Sequence, residues 1–298
     1  MRSIQNQNLN DIELILIDDF SDDKSIQIIE KFKKEDKRII LIRNKKNKGT
    51  LISRNIGALH ALGEFLIFPD IDDIISRDIL KKCYEFSKKY NYDLIRFNMY
   101  SDKNFIFSLI DNNLKSSVYQ PELRTYLIYG YGYPRLVDGI ISNKFIKKIS
   151  FLMALNNIND YYLNQKMIYF EDGLINLALH FNAKSLFLLK HIGYYYIFNK
   201  NSISHSVNKD SYLKCFFIFL KYIIENTKNN KHEKYMNFFF LEKYINSDML
   251  KYIKNYSKIY EEVINSLNNT NFISSQEKYK LIMMKKIILK KKKYIHFS

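Results

Sequence analysis

The sequence predicts an α/β protein, a doubly wound, mainly parallel sheet followed by an all-helical C-terminal extension. Three observations predict it. Between Ile12 and Tyr100, strand-like and helix-like runs alternate at intervals of 20 to 30 residues. Acidic clusters, Asp18 with Asp19 and Asp70 with Asp72 and Asp73, stand at the ends of two strand-like runs, and ligands in such sheets sit outside the carboxyl ends of the strands. From about residue 207 onward only helical patterns remain. The expected division is therefore a sheet domain over 1–206 and a helical region over 207–298.

The elements follow in order. "IELILI" (12–17) is short, β-branched and flanked by acidic residues, which suits a buried parallel strand and is too short for a helix. In "DDKSIQIIEKFKKEDKR", Ile26, Ile29 and Phe32 recur at helical spacing, with Ser21, Asp22 or Asp23 available as the cap. A second strand, "IILIR" (39–43), leads through the polar loop "NKKNKG" into the helix "TLISRNIGALHAL". The third strand is "EFLIF", the third helix "SRDILKKCYEFSKKY", and the fourth strand "DLIRFNMY" (93–100). Residues 101–170 break the rhythm, and "YLIYGYGYPR" reads as an irregular loop. Order returns with the helix "FEDGLINLALHF" and the strand-like runs "SLFLLK" and "GYYYIF".

The bulk numbers narrow the function. With 298 residues and 47% hydrophobic content the chain can bury a core. Lysine and arginine number 47 against 31 acidic residues, a net charge of +16, which makes an anionic partner worth testing. The accompanying Asn, Ile and Tyr are what a strongly AT-rich genome imposes, so the charge reads first as a solvated surface and second as a functional face. Cys83 and Cys215 lie far apart without ligand-spaced neighbours, which argues against a disulfide framework or a zinc site and fits a reducing compartment. No apolar run reaches the length of a membrane span and the N-terminus lacks a signal-peptide pattern, so the expected location is the cytoplasm.

Converging carboxylates raise one another's pKa unless a cation or hydrogen-bond donors compensate. A hard divalent ion, Mg²⁺ or Mn²⁺, takes one or two protein carboxylates and completes its shell with phosphate oxygens and water, which suits "DIDD". The alternative is a capped turn, with Asp72 or Asp73 capping the helix that follows. An EF-hand is excluded by Ile74 and Ile75, and there is no G-x-G-x-x-G and no Walker loop. A haloacid-dehalogenase-type phosphatase fits only superficially, since two strands precede "IFPDIDD".

Taken together, "IELILIDDFSDDKS", "NKGTLISRNIGALHALGEFLIFPDIDD" and "FEDGLIN" resemble the family-2 glycosyltransferases of the GT-A fold. The family's collinear pattern is matched at Asp18, Asp19 and Ser21, at Asn47 and Gly49, at Arg54, Asn55 and Gly57, and at Ala61, Gly63, Glu64, Asp70, Asp72 and Asp73. "YFEDGLINLAL" and "GYYYIFNKNSISHS" resemble two further segments, so the likeness covers about residues 3–206. The family opens with a strand ending in P-x-Y-N followed by a helix whose end resembles "SIQNQ"; this sequence starts in that helix, and a domain without its first strand is expected. Phe20 stands where the family prefers glycine.

The resemblance implies an inverting glycosyltransferase that moves a sugar from a nucleotide-diphosphate donor, a UDP-sugar, to a glycan or lipid-linked acceptor. It implies Asp18 or Asp19 at the nucleoside and Arg54 near base or diphosphate. Asp72, with Asp70 or Asp73, would hold Mg²⁺ or Mn²⁺, and Asp172, beside Glu171, would be the general base. His205 is either a late metal ligand or a surface histidine. "FEDG" alone would equally suit a helix start. The basic tail "KLIMMKKIILKKKKYIHFS" reads as a packed last helix or as a peripheral contact with an anionic membrane on its cytoplasmic face. No nucleic-acid partner is expected. Two other readings remain: a catalytically impaired relic of the fold acting as a binding protein, and a basic membrane-surface or nucleic-acid-binding protein.

Overall fold

The computed structural model describes residues 1–101, 117–119, 141–142, 144–163, 167–199 and 208–227. It divides into two compact units, Met1–Ser206 and Val207–Ser298. In the second, the described residues form one helix, Lys209–Thr227. His205, the basic tail and most of 101–140 lie outside the described residues.

The first unit opens with a short helix α1 (Arg2–Gln5) and strand β1 (Leu14–Asp18). Helix α2 (Ser25–Glu35) leads to β2 (Ile39–Arg43), which pairs parallel to β1 with Asp18 opposite Arg43. Helix α3 (Thr50–His60) packs on β1. Short strands β3 (Phe65–Leu66) and β4 (Ile74–Ile75) flank the second acidic cluster. Then come α4 (Ile79–Tyr90), β5 (Leu94–Ser101), β6 (Ser117–Tyr119), β7 (Lys144–Lys147), α5 (Lys148–Asn156), α6 (Asp160–Leu163), α7 (Glu171–Asn182) and β8 (Ser185–Tyr196). The second sheet has the order β3-β7-β5-β8-β4, with β6 also on β8. It is mixed: β5 and β8 are parallel, and the other pairings are antiparallel.

β5 is the centre of this sheet, and its sequence says why. Leu94, Ile95, Phe97 and Met99 are all within 1% of full burial, the near-continuous apolar run of a strand covered on both faces. α4 closes one face with Ile79, Leu80 and Cys83 against Ile95, Phe97, Phe145 and Tyr194. Its end is set by Asn91 in the left-handed region at φ 57°. The approach of α4 to β8 is close at Gly193, where a Cβ would lie 2.5 Å from Ile79 and 2.6 Å from Phe97. A side chain there would have to displace Ile79 and Phe97, and the neighbouring Tyr194 is fully buried.

Two capping expectations are corrected. α2 starts after Lys24, and Asp23 reaches it by accepting the Ser25 N–H at 2.8 Å. α4 starts after Asp78, six residues beyond Asp72, so neither Asp72 nor Asp73 caps it. The runs "SLFLLK" and "GYYYIF" are one strand, β8, whose register against β5 shifts around Asn98.

Candidate functional site

The two acidic clusters are built differently. The first sits at the carboxyl end of β1, where Asp18 is buried at 4% exposure and accepts the Ser21 N–H at 3.2 Å and Arg43 Nε at 3.4 Å. Asp19 holds the loop after β2. Its Oδ1 accepts Asn44 Nδ2 and the Lys48 N–H, both at 2.8 Å, and its Oδ2 accepts the Gly49 N–H at 2.7 Å. Burial pushes the Asp19 carboxyl up, but the donors on Lys48, Asn44 and Gly49 outweigh it and hold it below its ordinary value. Gly49, at φ 87°, caps α3, a backbone that suits glycine. Between these partners Phe20 takes φ 69° with 62% exposure, which explains the preference for glycine at this position.

The second cluster follows β3. Asp70 gives one carboxylate oxygen to Arg54 Nη2 at 3.2 Å and the other to the Ser142 hydroxyl at 3.2 Å. Burial, opposed by Arg54 and reinforced by Asp172 and Asp73, raises its carboxyl to about 6. Its side chain is still 44% accessible, so solvent screens part of this effect and the direction carries the point. Asp72 is exposed and has no hydrogen bond or ion pair among the described residues. Asp73 is buried at 7% exposure, accepting the Tyr194 hydroxyl at 2.6 Å and the Ile197 N–H at 2.8 Å. Burial raises its carboxyl, while those two bonds oppose the rise.

The third part is the start of α7. Phe170 takes φ 63° just before it, and Glu171 and Asp172 occupy the first turn, where the helix dipole favours negative charge. The helix-start reading is thus correct, but it is incomplete. Asp172 is also ion-paired with Arg54 Nη1, and its second oxygen accepts the Ile141 N–H at 3.3 Å. Burial raises the Glu171 carboxyl, with Asp172 adding to the rise.

Arg54 is what joins these parts. It projects from α3, which packs on both α5 and α7, and its side chain is only 11% exposed. Burial acts to lower its pKa, and the charges of Asp172, Asp70 and Glu171 overcome that and raise it. A buried guanidinium with two carboxylates on its fork is a strong geometric clamp. It draws Asp70 and Asp172, 102 positions apart in the sequence, to one place.

The structure therefore brings Arg54, Asp70 and Asp172 into direct contact, with Asp72 and Asp73 on the same turn as Asp70. Asp18 and Asp19 form their own cluster, and His205 lies outside the described residues. Sequence reasoning missed Tyr194, Ser142, Asn44 and Ser53. Tyr194 lies inside the "GYYYIF" segment, and Asn44, which also bonds the Ser53 hydroxyl at 3.2 Å, lies inside "NKKNKG"; both were visible as letters without a role. Among the described residues no group of three or more His, Cys, Asp or Glu is arranged to hold a metal ion. A shell of one or two carboxylates completed by phosphate needs no such group, and the exposed, unpaired Asp72 beside the accessible Asp70 fits that donor set.

Comparison with known proteins agrees with this architecture. The model of the Glycosyl transferase family 2 matches residues 1–151. A protein of Haemophilus influenzae named as an uncharacterized glycosyltransferase is 46% identical over 84 residues, 28% of this chain and 34% of that protein. A cholesterol galactosyltransferase of Borreliella burgdorferi is 28% identical over 214 residues, 68% of this chain and 56% of that protein. The chain thus spans between a third and just over half of these relatives. Among solved structures, S. aureus TarS 1–349 in complex with UDP-GlcNAc superposes with a TM-score of 0.65 at 19% identity, covering 91% of this chain and 75% of that one. This likeness shows the fold: α/β, of the GT-A type.

Proposed function

The chain belongs to glycosyl transferase family 2, and from that premise we propose that it moves a sugar from a UDP-sugar donor to a glycan or lipid-linked acceptor by an inverting single displacement. The observation that carries this reading is the Arg54 bridge, which puts Asp172 beside the acidic turn. Solved complexes of TarS with UDP-GlcNAc and with UDP support the choice of donor.

The chemistry needs a base for the acceptor hydroxyl and neutralisation of the departing diphosphate. Asp172 takes the proton from the acceptor hydroxyl as its oxygen bonds to the anomeric carbon, and the bond from that carbon to the diphosphate breaks, releasing UDP. Arg54 holds Asp172 in place among its acidic neighbours. Glu171, whose carboxyl is pushed upward, adds less competing charge than a fully ionised neighbour. Asp72, with Asp70, would hold a Mg²⁺ or Mn²⁺ ion that neutralises the diphosphate. Asp19, with Asp18, shapes the loops at the carboxyl ends of β1 and β2, where the nucleoside would lie.

The test is release of UDP from a panel of UDP-sugars with Mn²⁺ and with EDTA. Metal-dependent release is the expected result. UDP binding with no release from any sugar, with or without acceptor glycans and lipids, would favour the relic reading.

A further inference from the structure

Asp73 stands where the resemblance offers a second metal ligand, yet its surroundings are those of an anchored group. Both its oxygens are engaged by protein donors, the Tyr194 hydroxyl at 2.6 Å and the Ile197 N–H at 2.8 Å, and it is 7% exposed. The same Tyr194 hydroxyl accepts the Asp70 N–H at 3.1 Å. One oxygen atom therefore ties both ends of the turn Asp70–Asp73, which is also closed by the Asp73 N–H on the Asp70 carbonyl at 3.2 Å. Tyr194 is itself well packed: it is fully buried, sits opposite Ile75 in the β4–β8 ladder, and follows the glycine that admits Ile79. Between the two tied ends, Asp72 is exposed and unpaired.

We propose that Tyr194 is the positioning residue of the acidic turn and Asp73 its anchor, the pair holding the backbone so that Asp72 is presented to a cation bound with a nucleoside diphosphate. The proposal rests on the donor reading above and assigns different work to the three aspartates. A site held in its productive geometry by supporting hydrogen bonds loses less freedom on binding than one that must be ordered. Without the hydroxyl, the buried Asp73 carboxylate keeps only the Ile197 N–H as a donor and the Asp70 N–H lacks its acceptor, so the turn has alternatives to its present shape.

The test measures uptake of Mn²⁺ by the full chain in the presence of UDP, from loss of the free Mn²⁺ resonance in electron paramagnetic spectra, beside UDP affinity in EDTA. Tyr194→Phe is expected to weaken Mn²⁺ uptake about tenfold, as for one lost hydrogen bond to a charged group, and to leave metal-free UDP affinity unchanged. Equal weakening of both, or of neither, overturns the proposal. Asp73→Asn decides the matter independently if Tyr194→Phe does not fold. Its amide oxygen can still accept the Tyr194 hydroxyl while its amide nitrogen cannot accept the Ile197 N–H, so Mn²⁺ uptake should weaken but survive in part; a loss as complete as that of Asp72→Ala makes Asp73 a ligand and overturns the assignment. If the unaltered chain takes up no Mn²⁺ with UDP, the donor reading falls and this inference falls with it. If it does and Tyr194→Phe changes nothing, only this inference falls.

Discussion

The loop after β1 and the loop after β3 carry the same kind of charge and use it in opposite ways. In the first, both aspartates are matched by donors of the protein: Ser21 and Arg43 for Asp18, and Asn44, Lys48 and Gly49 for Asp19. In the second, Asp73 is matched in the same manner, Asp70 is shared with Arg54, and Asp72 is left open. A run of carboxylates is thus not one site. Its members divide into those that the protein's own donors engage and those left open, and what divides them is how many donors the fold supplies.

The comparison can be broken by substitution. The largest expected effect is at the carboxylate that Arg54 joins to the second region: if Asp172 is the proposed base, Asp172→Asn should lower the rate of UDP release by about 10² to 10⁴, the range for loss of a general base, with UDP affinity retained. Steady-state turnover over a panel of UDP-sugars measures it, and an unchanged rate would remove Asp172 from the chemistry. Next is Arg54→Ala, which leaves Asp70 and Asp172 facing each other without their cation. Breaking a fully buried pair destabilises by about 3–5 kcal/mol, and the 44% accessible Asp70 side chain puts the expected loss at or below the lower end of that range, read as a lowered urea midpoint. A change under 1 kcal/mol would mean that the bridge does not hold the two parts together.

The first region should respond through stability. Asp19→Ala removes the acceptor for three donors and should destabilise by about 1–3 kcal/mol. Its pH dependence has a definite sign. The Asp19 carboxyl is lowered in the folded state from 3.8, so its contribution is fully present above pH 3.8 and is lost as pH falls through the folded value. The gap between the original chain and Asp19→Ala in urea melts should therefore be widest near neutrality and narrow in acid; a gap that widens in acid contradicts the account. The smallest effect is expected of Phe20→Gly. It relieves a non-glycine residue at φ 69° whose ring is 62% exposed, and should stabilise by up to about 1 kcal/mol.

Much of this was legible in the sequence, for local reasons. β1, β2, α3, α4, β5 and α7 declare themselves by apolar periodicity, and the acidic clusters follow because they end strands. β4 and β7 are too short, at two and four residues, to display a period. α5 buries Phe151, Ala154 and Leu155 yet exposes Ile149 and Met153, so it has apolar residues on both faces and no amphipathic stripe. β8 reads as two strands because His191 and Gly193 interrupt its apolar run. The sequence singled out Arg54, Asp70, Asp72 and Asp172, of which the structure joins Arg54, Asp70 and Asp172. The site's division of labour was not legible, because the role of Asp73 depends on Tyr194, 121 residues away, and no local pattern can announce that.

The central claim is that the open carboxylate of the second loop, and not the matched ones of the first, meets the metal and the diphosphate. Calorimetric titration of UDP into the original chain, Asp72→Ala and Asp19→Ala, each with and without Mn²⁺, tests it directly. The predicted result is a gain in UDP affinity on adding Mn²⁺ that Asp72→Ala abolishes and Asp19→Ala retains. The contrary result is a Mn²⁺ gain that survives in Asp72→Ala, or no UDP binding in the original chain.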